Sequence, residues 1–272
     1  MKLNQKRFNT FRQRSISNRA ETRRQLALRN NLEKRFFKRL NTLFRKFLNT
    51  QLYTYREFGI YEEGTASQLL NEDFMPLILT HYRRIFQVVY KANEDKYFGN
   101  QKQEALVFGR STDFEEVVQN YFNTRQLVLA GITTRMANRI SRLIEQGRAD
   151  NLTLTEIAKL VSSKFLPISR SRAALIARTE THNAASFANH TYHQKVEADL
   201  GIKMMKKWVA TNDGRTRSSH VSANGQVVDM NEDFTVGGMP MGYAGDPKGG
   251  VANVINCRCV IVYADEQDVV LD

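Results

Sequence analysis

The sequence has few of the residues and patterns that mark a secreted, membrane-spanning or nucleotide-binding protein. Its two cysteines among 272 residues are too few for a disulfide framework. No uncharged apolar run approaches the roughly 20 residues that cross a bilayer, and no apolar h-region follows the basic N-terminus. The motifs G-x-x-x-x-G-K-[ST], G-x-S-x-G, G-x-G-x-x-G and H-E-x-x-H are also missing. We therefore expect a soluble chain from a reducing compartment, with no membrane partner and no small-molecule substrate.

Acidic residues are scarce in the first 50 residues, which hold 15 Lys/Arg and 2 Asp/Glu. The other 222 residues are nearly balanced, with 25 Lys/Arg and 26 Asp/Glu. The net charge of +12 thus belongs to the N-terminal region, and we expect residues 1–20 to form a flexible arm. Contact with nucleic acid and contact with an acidic partner surface both remain open for this region. The candidate contact residues are Lys6, Arg7, Arg12, Arg14, Arg19, Arg23, Arg24, Lys34, Arg35, Lys38, Arg39, Arg45 and Lys46.

Apolar residues at spacings of three and four predict a basic amphipathic helix over about residues 21–50. Its phenylalanines fall at core spacing, which favours packing against protein over stacking on single-stranded nucleic acid. We expect that residues 1–50 can be deleted while the rest stays folded. Further helices are predicted over about residues 73–92, 113–147, 153–166 and 169–199. In the helix over residues 153–166, "TLTE" is predicted to form a capping box at the start, and Pro167 marks the end.

The composition changes after Gly201. Nine of the fifteen glycines and two of the four prolines lie in residues 201–272, around the β-type runs "KKWVA", "QVVDM" and "CVIVYA". The expected fold class is α+β, with a mainly α-helical N-terminal two-thirds followed by a small C-terminal α+β module. The expected domains are the arm 1–20, a helical domain 21–168 and a module 169–272, whose α+β unit spans 201–263.

Unusual polar residues concentrate in three segments of this last third. An ordered loop can use such residues as a charged network that satisfies its backbone and fixes its shape. The segments are "ARTETH" with Arg178, Glu180 and His182, "DGRTRSSH" with Asp213, Arg215, Arg217 and His220, and "NCRC" with Asn256, Cys257, Arg258 and Cys259.

The two thiols, one residue apart, leave four interpretations open. They can be small buried core residues, a strained disulfide or a catalytic thiol with His220 as base. They can also be metal ligands together with His220 and either His182 or Asp213. The spacing is shorter than the usual C-x₂₋₄-C of zinc sites. A metal-assisted nuclease or hydrolase using His220, Cys257 and Cys259 is the enzymatic alternative. We expect no cofactor, with zinc at these three residues as the exception left open. His190 and His193 form either a solvated helix face or a second metal pair.

The ordered segments "IARTETHNA", "KKWVATNDGRTRSSH", "NGQVVDMNEDF", "GDP" and "NVINCRC" resemble the phage Mu F-like minor head protein family, also called head-morphogenesis proteins. The resemblance covers about residues 170–263. The motif positions are Arg178 to Glu180 on the helix, Asp213, Arg215 and His220 in the loop, and Asn256 to Cys259 at the end.

This resemblance implies a structural, non-enzymatic minor head protein of a tailed bacteriophage. Such a protein is made in the host bacterial cytoplasm and incorporated in the interior of the virion head. The implied partners are the portal protein, the major capsid protein or both, with the scaffolding protein as a further candidate. Packaged DNA is a partner candidate for the basic arm, and the implied roles are head morphogenesis and DNA packaging or delivery. Some relatives add a toxin or transferase domain after this module, for which we expect no room here.

Overall fold

The computed structural model of the chain describes residues 18–98 and 111–266. Most described residues before residue 201 are helical, and short strands follow, which confirms the α+β fold class. The helices are α1 (Asn18–Phe58), α2 (Glu63–Phe98), α3 (Ser111–Ala149) and α4 (Leu154–Leu200). The later elements are β1 (Met204–Val209), α5 (Ser218–Ser222), β2 (Val227–Asp229), β3 (Phe234–Val236), β4 (Met239–Met241), a 3-10 helix (Pro247–Gly249), α6 (Gly250–Val254) and β5 (Val260–Asp265).

None of the described helices has an apolar stretch long enough to cross a membrane. Most of the expected arm lies outside the described residues, together with its cations Lys6, Arg7, Arg12 and Arg14.

Helix α1 is longer than predicted and contributes heavily to the core. Phe36, Leu40, Phe44, Leu48 and Tyr55 on one face are all at most 1% exposed. Burying one such side chain contributes about 1.5–3 kcal/mol. The expectation that residues 1–50 can be deleted without unfolding the rest is therefore wrong.

Helix α4 runs unbroken through Pro167, so the predicted helix end before this proline is also wrong. Proline removes one backbone hydrogen bond, but tertiary packing can hold a helix through that loss. Val161, Phe165 and Ala173 on either side are fully buried and supply such packing. The predicted capping box at the start of α4 is confirmed. The Thr153 backbone N–H donates to Glu156 Oε2 at 2.8 Å, and the Glu156 N–H donates to Thr153 Oγ1 at 3.3 Å.

The described residues divide into two compact units, and the boundaries differ from the expected domains. The first unit combines residues 18–33, 83–98, 111–116 and 178–266, and the second combines residues 34–82 and 117–177. The 47 residues of α4 extend about 70 Å at 1.5 Å per residue, more than twice the diameter of a small domain. One helix therefore supplies residues to both units.

The first unit contains the strands. An antiparallel sheet has the order β2-β1-β5, with Lys206 opposite Tyr263 and Trp208 opposite Ile261. These strands correspond to the three predicted β-type runs. The hairpin β3–β4 was not predicted, although Gly237 and Gly238 between its strands are a hairpin signal and both have positive φ.

A glycine in the second unit tests how tightly α3 and α4 pack. A Cβ at Gly147 would lie 2.6 Å from Ile157 Cγ1, a branched atom close to the backbone. We expect Gly147→Ala to lower the free energy of unfolding by about 1–3 kcal/mol, because overpacking outweighs the gain in helix propensity. Urea unfolding followed by circular dichroism measures it.

The matched control is Gly131→Ala, which also changes a glycine inside α3. Its Cβ would meet only the flexible end of Arg135, at 3.0 Å. We expect this variant to be unchanged or more stable by up to about 1 kcal/mol. Equal effects at the two positions would contradict the close contact at Gly147.

Candidate functional site

The "NCRC" segment begins with a backbone turn that α4 holds in place. Asn256 has a φ of 60°, in the left-handed region that asparagine tolerates better than most residues. Its side-chain Oδ1 accepts a hydrogen bond from Arg178 at 2.9 Å, and its backbone N–H donates to Thr179 Oγ1 at 3.2 Å. Arg178 also donates to Glu33 of α1 at 3.1 Å. Two motifs far apart in sequence thus fix one turn.

The "DGRTR" loop is tied to the same segment. Asp213 forms ion pairs with Arg215 at 3.3 Å and with Arg258 at 2.9 Å, while Arg217 donates to the Ile255 carbonyl at 2.6 Å. Burial opposes the ionisation of Asp213. The hydrogen bond from the Arg215 N–H and the charge of Arg258 outweigh it, so the pKa of Asp213 lies below its usual value. These contacts bring together Asp213, Arg215 and Arg258, three members of the predicted charged network.

The structure brings His220, Cys257 and Cys259 together. His220 Nδ1 lies 3.3 Å from Cys259 Sγ and 3.6 Å from Cys257 Sγ, and all three residues are at most 2% exposed. Both cysteines are free. The hydrogen bond between the two thiols lowers the pKa of Cys257 and raises that of Cys259. These three residues form the one group in the described part of the chain whose His, Cys and carboxylate ligand atoms cluster closely enough to hold a metal ion.

A buried arginine lies beside this cluster. Arg29 is 6% exposed and donates to His182 Nδ1 at 2.9 Å, to the Cys259 carbonyl at 3.3 Å and to Gln25 Oε1 at 3.0 Å. Burial lowers the pKa of Arg29 to about 10, while the negative charge available at Cys257 favours its cationic form. Burial and the charge of Arg29 place the pKa of His182 well below its usual value. His182 is therefore a neutral acceptor for Arg29. Glu180, the third predicted residue of this helix segment, is buried as well.

His190 and His193 are both buried, so the expected solvated face is wrong. The ring of His193 stacks on Tyr263 with centroids 4.1 Å apart, and His190 lies 5.4 Å from the ring of Tyr243. His193 Nδ1 contacts the Asn189 carbonyl at 2.7 Å. The stripe of histidines reaches the interior because the strands cover this face of α4.

The predicted cations of α1 differ in exposure. Arg24 is half-buried and engaged within the first unit, where it pairs with Glu21 at 2.7 Å and donates to Asn93 and the Ala92 carbonyl. The other predicted cations of the described part of α1 are exposed to solvent. They are Arg19, Arg23, Lys34, Arg35, Lys38, Arg39, Arg45 and Lys46.

A comparison with known protein families matches the part of the chain that contains the Asp213 loop and the His220, Cys257 and Cys259 cluster. The model of the family described as Phage Mu protein F like protein matches residues 134–262. The chain is similar to that family over these residues. The predicted resemblance is thereby confirmed, although the Mu F-like module begins earlier than expected, inside α3.

Two curated proteins are similar to the chain. It is 24% identical over 249 residues to the minor head protein GP7 of Bacillus phage SPP1, covering 85% of this chain and 77% of that protein. It is 32% identical over 128 residues to the NAD(+)–arginine ADP-ribosyltransferase EFV of Enterococcus faecalis, covering 47% of this chain but only 26% of that protein. No solved structure matches the chain. The family and the first relative support a structural role in the phage head.

Three buried polar residues in the first unit were not predicted as part of the site. Arg29 and Gln25 reach it from α1, and Lys206 of β1 is 1% exposed, where it donates to the Gly242 carbonyl at 2.7 Å. A signal for the first two exists. Glu21, Gln25, Arg29, Leu32 and Phe36 continue one stripe at spacings of three and four, so polar residues occupy positions that the pattern assigns to the core.

The buried histidines of the Mu F-like module predict acid sensitivity. Burial lowers the pKa of His190 to about 3, below the usual 6.5. The folded chain therefore binds fewer protons than the unfolded chain between these values, and the stability present above pH 6.5 is lost as the pH falls. We expect the loss to reach about 1.4 kcal/mol per pH unit for His190 alone. Urea unfolding at several pH values between 7.5 and 5 measures it.

A His190→Phe variant isolates this contribution, because phenylalanine keeps the ring contacts and cannot take up a proton. Relative to the unaltered chain, we expect it to retain about 2 kcal/mol more stability on going from pH 6.5 to pH 5. The control Tyr263→Phe removes the 3.5 Å contact to His190 Nδ1 and leaves the histidine in place. Parallel pH profiles for the unaltered chain and His190→Phe would contradict the buried neutral state.

Proposed function

We propose that the chain is a structural minor head protein of a tailed phage, located inside the virion head beside the portal and major capsid proteins. The observation that carries the proposal is the similarity to the minor head protein GP7 over 85% of the chain. That similarity extends well beyond the Mu F-like module into the helical region.

A non-enzymatic role fits the geometry of the cluster. A catalytic thiol or an open metal centre has to meet its substrate, whereas His220, Cys257 and Cys259 are all at most 2% exposed. The transferase EFV supports no activity for this chain, because the chain spans about a quarter of that enzyme. We therefore propose that this cluster stabilises the module and that the metal-assisted hydrolase alternative does not apply.

The surface of α1 in the second unit supplies a contact for a polyanion. Lys34, Arg35, Lys38, Arg39 and Arg45 are exposed, and no carboxylate among the described residues lies within ion-pair distance of them. The next cation, Lys46, pairs loosely with Asp73 at 3.5 Å. From Lys34 to Lys46 the helix advances about 18 Å, so this basic face can meet several phosphates at once.

Duplex DNA is the polyanion that suits this basic face best. Binding of single strands usually combines cations with exposed aromatic rings. Here Phe36, Phe44 and Phe47, which lie between the cations in sequence, are at most 7% exposed and pack inward, so these three rings offer no stacking surface. Cations alone contact phosphates independently of sequence, as contact with packaged DNA requires. An acidic surface of a head protein is the competing partner.

Location in the particle tests the proposed function directly. Quantitative mass spectrometry of DNA-filled heads separated from tails is expected to find the chain in the head fraction. Particles assembled without it are expected to show defective heads or poor DNA delivery. Recovery of the chain only in the infected-cell lysate, with normal particles in its absence, would overturn the proposal.

A separate prediction concerns DNA binding by the basic face of α1. We expect replacement of Arg35, Lys38, Arg39 and Arg45 by Gln to weaken duplex DNA binding at least tenfold. The slope of log affinity against log salt concentration should become shallower by roughly 3–4, because four phosphate contacts are lost. Fluorescence anisotropy with full-length protein at several salt concentrations provides both values.

The matched control replaces four exposed cations of α4 in the same unit, Lys159, Lys164, Arg170 and Arg172, by Gln. It changes the net charge equally and is expected to reduce the salt slope by less. Equal losses in the two variants would show a general charge effect and contradict a specific face. Unchanged DNA binding with lost incorporation into heads would assign the face to an acidic protein partner.

A further inference from the structure

We propose that His220, Cys257 and Cys259 form a structural zinc site in the first unit. The ligand atoms come from two segments of chain that are 37 residues apart and meet only in the fold. They lie within 4.8 Å of one another, and all three residues are buried. The site goes beyond the proposed role in the head, which requires no metal.

The distances fit one tetrahedral ion. Zinc binds cysteine sulfur at about 2.3 Å and histidine nitrogen at about 2.05 Å, so a tetrahedral site places sulfur and nitrogen about 3.6 Å apart. His220 Nδ1 lies 3.3 and 3.6 Å from the two sulfur atoms. Both nitrogen–sulfur distances thus lie within a few tenths of an ångström of the value for a tetrahedral zinc site.

Hydrogen bonds among His220, Cys257 and Cys259 explain their close approach less well than a shared metal ion does. One ring nitrogen offers either one N–H or one lone pair, so it forms a good hydrogen bond with one sulfur rather than two. Three ring nitrogens around the cluster also lack a hydrogen-bond partner in the described part of the chain: His182 Nε2, His220 Nε2 and Trp208 Nε1. Trp208 lies 5.7 Å from the His220 ring. Buried polar atoms without partners indicate a bound ion or ordered water nearby.

The charges favour a soft divalent cation. Two thiolates and one neutral imidazole suit zinc better than magnesium or calcium, which prefer oxygen ligands. Arg29 supplies a buried positive charge beside both cysteines, which offsets the negative charge of two zinc-bound thiolates. The guanidinium is also fixed by its contact to the Cys259 carbonyl, so it orients the backbone of one ligand.

The remaining coordination position belongs to a water molecule rather than to His182. The Arg29 guanidinium donates to His182 Nδ1, so the proton of this neutral ring resides on Nε2, which has no lone pair to offer. Asp213 is engaged with Arg215 and Arg258. Because the three protein ligands are buried, the site cross-links α5 to the segment before β5 and serves the fold.

Metal analysis of the full chain tests the site. Protein purified under reducing conditions with zinc and then freed of excess metal is expected to carry about one zinc ion per chain. Cys257→Ser, Cys259→Ser and His220→Gln should each lose it, whereas His190→Phe should retain it because His190 lies outside the cluster. Zinc at about a thousand times the dissociation constant should raise Tm by roughly 10 °C over the chelated protein.

Cobalt(II) provides a second measurement that needs no variant and therefore decides the matter if the substituted chains fail to fold. Titration of the reduced, metal-free, unaltered chain is expected to produce thiolate-to-cobalt charge-transfer absorption and tetrahedral visible bands, which added zinc abolishes. A folded, reduced chain that takes up no zinc and shows no such absorption would overturn the proposal. Isolation of the native protein with a mass lower by two hydrogens, indicating a Cys257–Cys259 disulfide, would also overturn it.

Discussion

The buried guanidinium of Arg29 is the constraint around which the first unit is arranged. Its donors reach three acceptors, on Gln25, His182 and Cys259, that belong to α1, α4 and the segment before β5. Hydrogen bonds from a charged group contribute about 1.5–3 kcal/mol each, and a buried charge left without them costs considerably more. The two helices and the strand segment therefore have to meet at one place, and the neutral state of His182 follows from that requirement.

The motifs of the Mu F-like module are far apart in sequence but contact one another in the fold. Arg178 and Thr179 on α4 hold the left-handed turn at Asn256, while Arg217 and Arg258 attach the loop around Asp213 to the same segment. These polar contacts determine where Cys257 and Cys259 lie relative to His220. The polar residues of the motifs thus fix the position of the irregular segment 256–259, which apolar packing alone would leave poorly defined.

The sequence was informative where one physical signal dominated. Apolar spacing predicted the buried face of α1, and the Thr153–Glu156 capping box predicted the start of α4. Prediction failed where tertiary packing outweighed a local preference, as at Pro167, which stays inside α4 between buried neighbours. It failed again for Arg29, His190 and His193, because burial of a polar side chain depends on partners far away in sequence. The meeting of His220 with both cysteines could be suggested from residue types, but only the fold supplies the distances.

The two units use charged and polar residues in opposite ways, and this difference supports a division of roles. In the first unit, Arg29, His182 and Lys206 are buried and make contacts within the protein, so they stabilise an irregular polypeptide segment. In the second unit, the cations of α1 remain in solvent while Phe36, Phe44 and Phe47 of the same helix fill the core. Buried polar groups specify a conformation, whereas exposed cations leave the fold unchanged and remain free to meet a partner. A single helix thus changes from the first use to the second within a few residues, between Arg29 and the exposed cations that begin at Lys34.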